Sequence, residues 1–174
     1  MADAKTAIEF VLRQEDSTLS GVVTDDAGGR TRFGIAERWH PELTSRGFFD
    51  GMAAADAQAI AEGLYESGYW VPINGAAVNS QDFANRYLSF GINLGIHQAV
   101  KLAQESLVAL GARIGVDGDP GPSTISALNA QLGANEAALM AGWRNQLTAF
   151  YRRVVAANPA QEEYLAGWLN RVKA

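Results

Sequence analysis

The 174-residue sequence has no cysteine, and that absence removes disulfides, a thiolate nucleophile and thiolate metal sites together. Histidine is almost as scarce: His40 and His97 are the only imidazoles, which argues against metal chemistry. No run approaches the roughly 18 apolar residues of a membrane span, so no stable membrane insertion is expected. The opening Met1-Ala2-Asp3-Ala4-Lys5 lacks the basic start, apolar core and cleavage site of a secretory leader. The chain is therefore expected to be made in the cytoplasm and to need outside help for any export. Positive charge is also short. The net charge is −5, with seven basic and thirteen acidic side chains in residues 1–96 against seven and six in residues 97–174. Phosphate backbones require a basic face, so nucleic acid is disfavoured as a partner. Internal repeats and low-complexity tracts are missing as well.

What is present is a folding composition. Hydrophobic residues make up 48% and charged residues 19%, which argues for one compact unit, or two small lobes sharing a core. Ile8, Val11 and Leu12 recur at helical spacing between Lys5 and Glu15, predicting a short amphipathic helix that ends near Glu15. Thr18 to Gly34 mixes β-branched residues with turn formers and reads as a small, irregular β-hairpin.

The remainder reads as helical. Ala53 to Trp70 places Ala57, Ile60 and Leu64 on one stripe, and Ser80-Gln81-Asp82 can open a helix carrying Phe83, Tyr87, Leu88 and Leu94. Val100, Leu107 and Leu110 mark a further helix closed by Gly111. Asp117 to Ser123 is the strongest turn, with Pro122 placed to begin another helix. Asn158-Pro159 separates two final helices, Asn135 to Ala157 and Gln161 to Val172. The expected class is α+β and mainly α.

The chemistry-bearing stretch runs from Glu15 to Ile35, where an acid closes an apolar helix and Asp25-Asp26 precedes Gly28-Gly29-Arg30-Thr31. Cleaving a glycosidic bond needs one carboxyl still protonated near neutral pH and a second, ionised one to activate water or stabilise an oxocarbenium-like transition state. Glu15 is the candidate acid, since a helix end against a hairpin can desolvate one side of it. Asp25 and Asp26 are candidates for the second carboxylate, and Thr31 could hold the attacking water by its hydroxyl. On spacing alone, Glu15 fits better as part of a solvated run with Arg13, Gln14 and Asp16, and the Asp-Asp-Ala-Gly-Gly segment fits a plain turn.

The pattern Ala7-Ile8-x-x-Val11-Leu12-x-x-Glu15 followed by Asp26-x-Gly28-Gly29-x-Thr31-x-Phe33-Gly34-Ile35 resembles the peptidoglycan muramidases of glycoside hydrolase family 108, found among phage endolysins and bacterial secretion activators. Tyr69-Trp70, Phe90-Gly91-Ile92-Asn93-Leu94-Gly95, Val116 to Leu128 and Gly167-Trp168-Leu169-Asn170-Arg171-Val172 extend the likeness over nearly the whole chain. The resemblance implies a lysozyme-like lobe with a small β-hairpin, about residues 1–96, packed against a C-terminal helical peptidoglycan-binding region, 97–174. It implies Glu15 as the catalytic glutamate, and no cofactor. Two departures stand out. Asp16-Ser17-Thr18 replaces the family's usual Gly-Gly-aromatic after the glutamate, and the stretch to Gly28-Gly29 is longer. The hairpin register therefore leaves a choice: Asp26 fits the Asp-x-Gly-Gly-x-Thr pattern and is preferred, while Asp25 has the separation from Thr31 seen in related phage-type lysozymes.

Tyr69, Trp70 and Tyr87 could stack on sugar rings, although aromatics at helical spacing also build cores. Asn93, in a glycine-flanked segment, could contact an N-acetyl group or satisfy neighbouring backbone. His40 and His97 read as turn and helix-start residues, and the Asp117/Asp119 alternation reads as a turn rather than a calcium loop. The modestly basic end, with Arg144, Arg152, Arg153, Arg171 and Lys173, could face anionic wall polymer. The expected activity is hydrolysis of the bond between N-acetylmuramic acid and N-acetylglucosamine by a monomer whose partner is the peptidoglycan glycan strand. It would act in the periplasm or cell wall after holin-dependent or other assisted export. A lytic transglycosylase and a non-catalytic wall-binding or secretion-assisting protein are the rival classes.

Overall fold

The computed structural model describes residues 1–26 and 29–173, with Asp26 described in its backbone only. Helix α1, Ala4–Glu15, begins where the Asp3 carboxylate accepts the Thr6 N–H at 2.9 Å, and it buries Ala7, Ile8, Val11 and Leu12. After Glu15 the chain leaves helical geometry at Asp16, whose carboxylate accepts the backbone N–H groups of Thr18 and Gly21 and the hydroxyls of Thr18 and Ser20. These bonds hold its pKa down at about 2. Asp16 thereby shapes the loop that turns the chain from α1 into the sheet.

The sheet has three short antiparallel strands in sequence order, β1 (Thr24–Asp26), β2 (Gly29–Arg32) and β3 (Ile35–Ala36). Its register pairs Thr24 with Thr31, Asp25 with Arg30 and Arg32 with Ile35. The third strand goes beyond the hairpin that the sequence suggested. It exists because Phe33 and Gly34 both take positive φ, 50° and 76°, closing the two-residue turn that suits the twist of paired strands. The buried Tyr65 hydroxyl donates to the Phe33 carbonyl at 2.9 Å and clamps that turn. Arg32, also buried, donates to the carbonyls of Gly21, Phe48 and Met52, fixing the sheet to its surrounding loops.

Helix α2, Ala54–Tyr65, passes into a π-helical turn, Glu66–Trp70. Its buried face carries Ala57, Ala61 and Tyr65, while Ile60 and Leu64 are only partly covered. Helix α3, Gln81–Leu94, starts at Ser80, whose Oγ accepts the Phe83 N–H. A single residue, Gly95 with φ 81°, separates it from α4, Ile96–Ala109. The turn at 117–121 is organised by the buried Gln104: its amide donates to the Asp117 carboxylate, the Asp119 carbonyl and the Thr124 hydroxyl, and its oxygen accepts the Gly118 N–H.

Helix α5, Pro122–Ala157, is kinked at Asn135, whose side-chain oxygen accepts the Ala138 N–H and restarts the helix. Trp143, 1% exposed, packs its ring 4.9 Å from Phe83, 5.9 Å from Tyr87 and 5.3 Å from Phe90, so α3 and α5 meet through an aromatic cluster. Helix α6, Glu162–Lys173, returns along α5, with Trp168 stacked on Tyr151 at 5.0 Å. Its last turn brings Arg171 back to the end of α1.

Candidate active site

Three elements converge on Glu15. Helix α1 presents it from its final residue, the β2–β3 turn lies against it at Gly34, and α6 delivers Arg171. The Glu15 side chain is 33% exposed, and its Oε1 accepts a hydrogen bond from Arg171 Nη2 at 3.0 Å. The same guanidinium donates through Nη1 to Gln14 Oε1 at 2.9 Å and to Ser89 Oγ at 3.3 Å, and Ser89 donates to Gln14 Oε1 at 2.6 Å. The negative charge of Glu15 adds to burial in raising the Tyr65 pKa, which keeps that phenol a neutral donor to the turn.

Glu15 and Thr31 line one open cavity of about 400 Å³, together with Asp16, Ser20, Thr24 and Gly34. Cross-strand pairing puts Thr24 and Thr31 on the same face of the sheet. Asp25 pairs with Arg30 on the alternate face, whose guanidinium is engaged by Glu37 and Asp50. Arg30 and the Thr44 hydroxyl hold the Glu37 carboxyl down at about 2. The structure therefore brings Glu15 and Thr31 together and sets Asp25 apart from them. The side chain of Asp26, like Gly28, lies outside the described residues.

On the other side of Gly34 a second cavity of about 520 Å³ is lined by Trp39, His40, Tyr65, Tyr69 and Ile92. Tyr69 is half-buried in that lining, and Trp39, on the same lining, is 72% exposed. A third hollow, beyond Arg171, is lined by Asn93, Tyr164 and Trp168. Asn93 is exposed at its rim, with its oxygen accepting the Tyr151 hydroxyl.

Two expected sugar-stacking residues belong to the core instead. Tyr87 is fully buried between Phe83 and Trp143, and Trp70 is 3% exposed with Gly75 packed directly on its ring. Helical spacing of aromatics marks a face and cannot tell which neighbour covers it. Conversely, Arg171 reads in the sequence only as part of the chain's C-terminal end, and nothing there ties it to Glu15, from which 156 positions separate it. Among the described residues, no group of three or more His, Asp or Glu side chains is placed to hold a metal ion.

A glutamate at a helix end, exposed to a cleft that a small antiparallel sheet shares, supplies one of the two carboxyl groups that glycoside cleavage uses. Residues 8–95 match the family model described as Glycosyl hydrolase 108, and residues 98–173 match that described as Predicted Peptidoglycan domain. The chain belongs to the glycosyl hydrolase 108 family, and it is a peptidoglycan hydrolase. The solved structure of Brucella abortus SagA is similar over 98% of this chain and 89% of its own, with a TM-score of 0.66 and 20% sequence identity. At that identity the likeness is one of fold. None of the curated proteins compared with the chain matches it.

Proposed function

We propose that the chain is an N-acetylmuramidase that cleaves the bond between N-acetylmuramic acid and N-acetylglucosamine, as a phage or prophage endolysin does. The observation that carries this reading is the meeting of Glu15 and Thr31 on one open cavity beneath the Gly34 turn. A glycan strand lying along the cavities on either side of Gly34 would pass its scissile oxygen over Glu15. Glu15 donates the proton to the leaving oxygen, and the Thr31 hydroxyl orients water for attack on the opposite side. Asp26 is the preferred second carboxylate. The Asp-x-Gly-Gly-x-Thr pattern supports it, and the placement of Asp25 with Arg30 favours it over its neighbour.

The enzyme would act as a monomer in the periplasm or cell wall, reaching it by holin-dependent or other assisted export. Mass spectrometry of products released from purified peptidoglycan tests the reading. Reducing muramic ends, lost in a folded Glu15→Gln protein, are expected. Anhydro ends would instead identify a lytic transglycosylase, and no release a wall-binding or secretion-assisting protein.

A further inference from the structure

We infer that Arg171, on the last helix, is a positioning residue for Glu15, so that the C-terminal region completes the active site as well as following it in sequence. The inference rests on the reading of Glu15 as the general acid. Arg171 has donors only, so the oxygen it touches, Oε1, must be the accepting one. Among the described residues Oε2 has no hydrogen-bond partner. The C=O oxygen of a protonated carboxyl is its better acceptor, so the contact with Arg171 favours a proton of Glu15 on Oε2, the oxygen left to serve the cleft.

The guanidinium cannot swing aside freely. Its second nitrogen is held by Gln14 Oε1 and by Ser89, itself 1% exposed. Gln14 and Glu15 are adjacent residues at the end of α1, and one planar fork holds both. The pairing also acts after transfer. When the proton leaves Oε2 for the glycosidic oxygen, the carboxylate that remains lies beside a positive charge already in place, with no reorganisation. Because the site is only one-third exposed at Glu15 and less at Arg171, that charge is partly shielded from water.

The test is steady-state kinetics on soluble glycan strands with full-length Arg171→Gln, Arg171→Lys, Ser89→Ala and Glu15→Gln proteins, each checked for folding by circular dichroism. Misplacing a catalytic group typically costs about 10²-fold, so Arg171→Gln should lose kcat on that scale. KM should stay within about threefold, because the interaction lost is not one that holds the ground-state substrate. Arg171→Lys should restore part of kcat, having the charge but not the fork. Ser89→Ala should show a smaller loss, again in kcat. Wild-type kcat in Arg171→Gln, or a change confined to KM, would overturn the positioning role and leave Arg171 as a bystander or a glycan contact. If Arg171→Gln fails to fold, Ser89→Ala decides: reduced kcat supports the role and unchanged kcat removes it. An active, folded Glu15→Gln protein is a different failure, since it removes the acid assignment itself.

Discussion

Gly34 is pressed against Glu15: a methyl group at position 34 would lie 3.0 Å from Glu15 Cγ and would also meet the Tyr65 hydroxyl. The turn that carries Gly34 therefore sets one wall of the space in which Glu15 works. With φ at 76°, the position also disfavours any side chain on backbone grounds. Gly34→Ala is expected to destabilise the protein by about 1–3 kcal/mol, the scale of a strained backbone residue. It should also lower activity, because relieving the contact displaces the turn from the acid. Chemical denaturation and turbidity clearing check the two effects together. Unchanged activity at reduced stability would show that the turn can retreat without disturbing Glu15.

The adjacent aspartates should behave unequally. Asp25 lies opposite Arg30, on the strand face that does not carry Thr24 and Thr31. Asp25→Asn is expected to leave activity near wild type, whereas Asp26→Asn should cost about 10²-fold or more if Asp26 serves as the second carboxylate. Initial rates of peptidoglycan cleavage by the two folded variants measure this. Equal, mild losses would mean that Glu15 works with another partner.

Acid should loosen the loop that leads from α1 into the sheet. The Asp16 carboxyl is held down at about 2 by hydrogen bonds from Thr18, Gly21 and Ser20. A carboxyl depressed on folding adds stability above its unfolded pKa of about 3.9 and loses that contribution as pH falls through its folded value. Glu37, also held down at about 2 by Arg30 and Thr44, acts in the same direction. The melting temperature should therefore fall between about pH 4 and pH 2. In Asp16→Asn the fall should be shallower, Glu37 supplying what remains. Identical pH slopes for the variant and the parent would show that the Asp16 bonds do not form in solution.

Local grammar made much of the frame legible in the chain. Ile8, Val11 and Leu12 do form the buried face of α1, Ser80 does cap α3, and Pro122 does open α5. Each depends on residues within a few positions, the range over which helical spacing and capping act. Glu15 and Thr31 were legible as candidates through their motif, and the fold brings them to one cavity. What stays hidden in the chain depends on distant partners or on irregular loop geometry. Tyr87 and Tyr69 both follow helical spacing, yet Trp143 covers the first while the second stays at a cavity wall. Asp16 looked like part of a solvated run, but its neighbours fold back to donate to it. Arg171 reads in the sequence as one charge of a basic end, within the Gly167–Val172 motif, with nothing there to tie it to Glu15.

The aromatic contact between α3 and α5 leads to the last expectation. The fragment 1–96 would keep Phe83, Tyr87 and Phe90 but lose Trp143, the ring that covers all three. Only Gly95 separates α3 from α4, so the faces on either side of that corner have no linker across which to part. The fragment should therefore aggregate or lack a cooperative melt, and in the full chain Trp143→Ala should cost about 3–5 kcal/mol, as large-to-small changes at buried tryptophans do. Circular dichroism and thermal melting of the fragment beside the parent make the comparison. A soluble fragment melting cooperatively near the parent's temperature would mean that residues 1–96 hold a sufficient core of their own, and that Trp143 closes an interface between two independently stable parts.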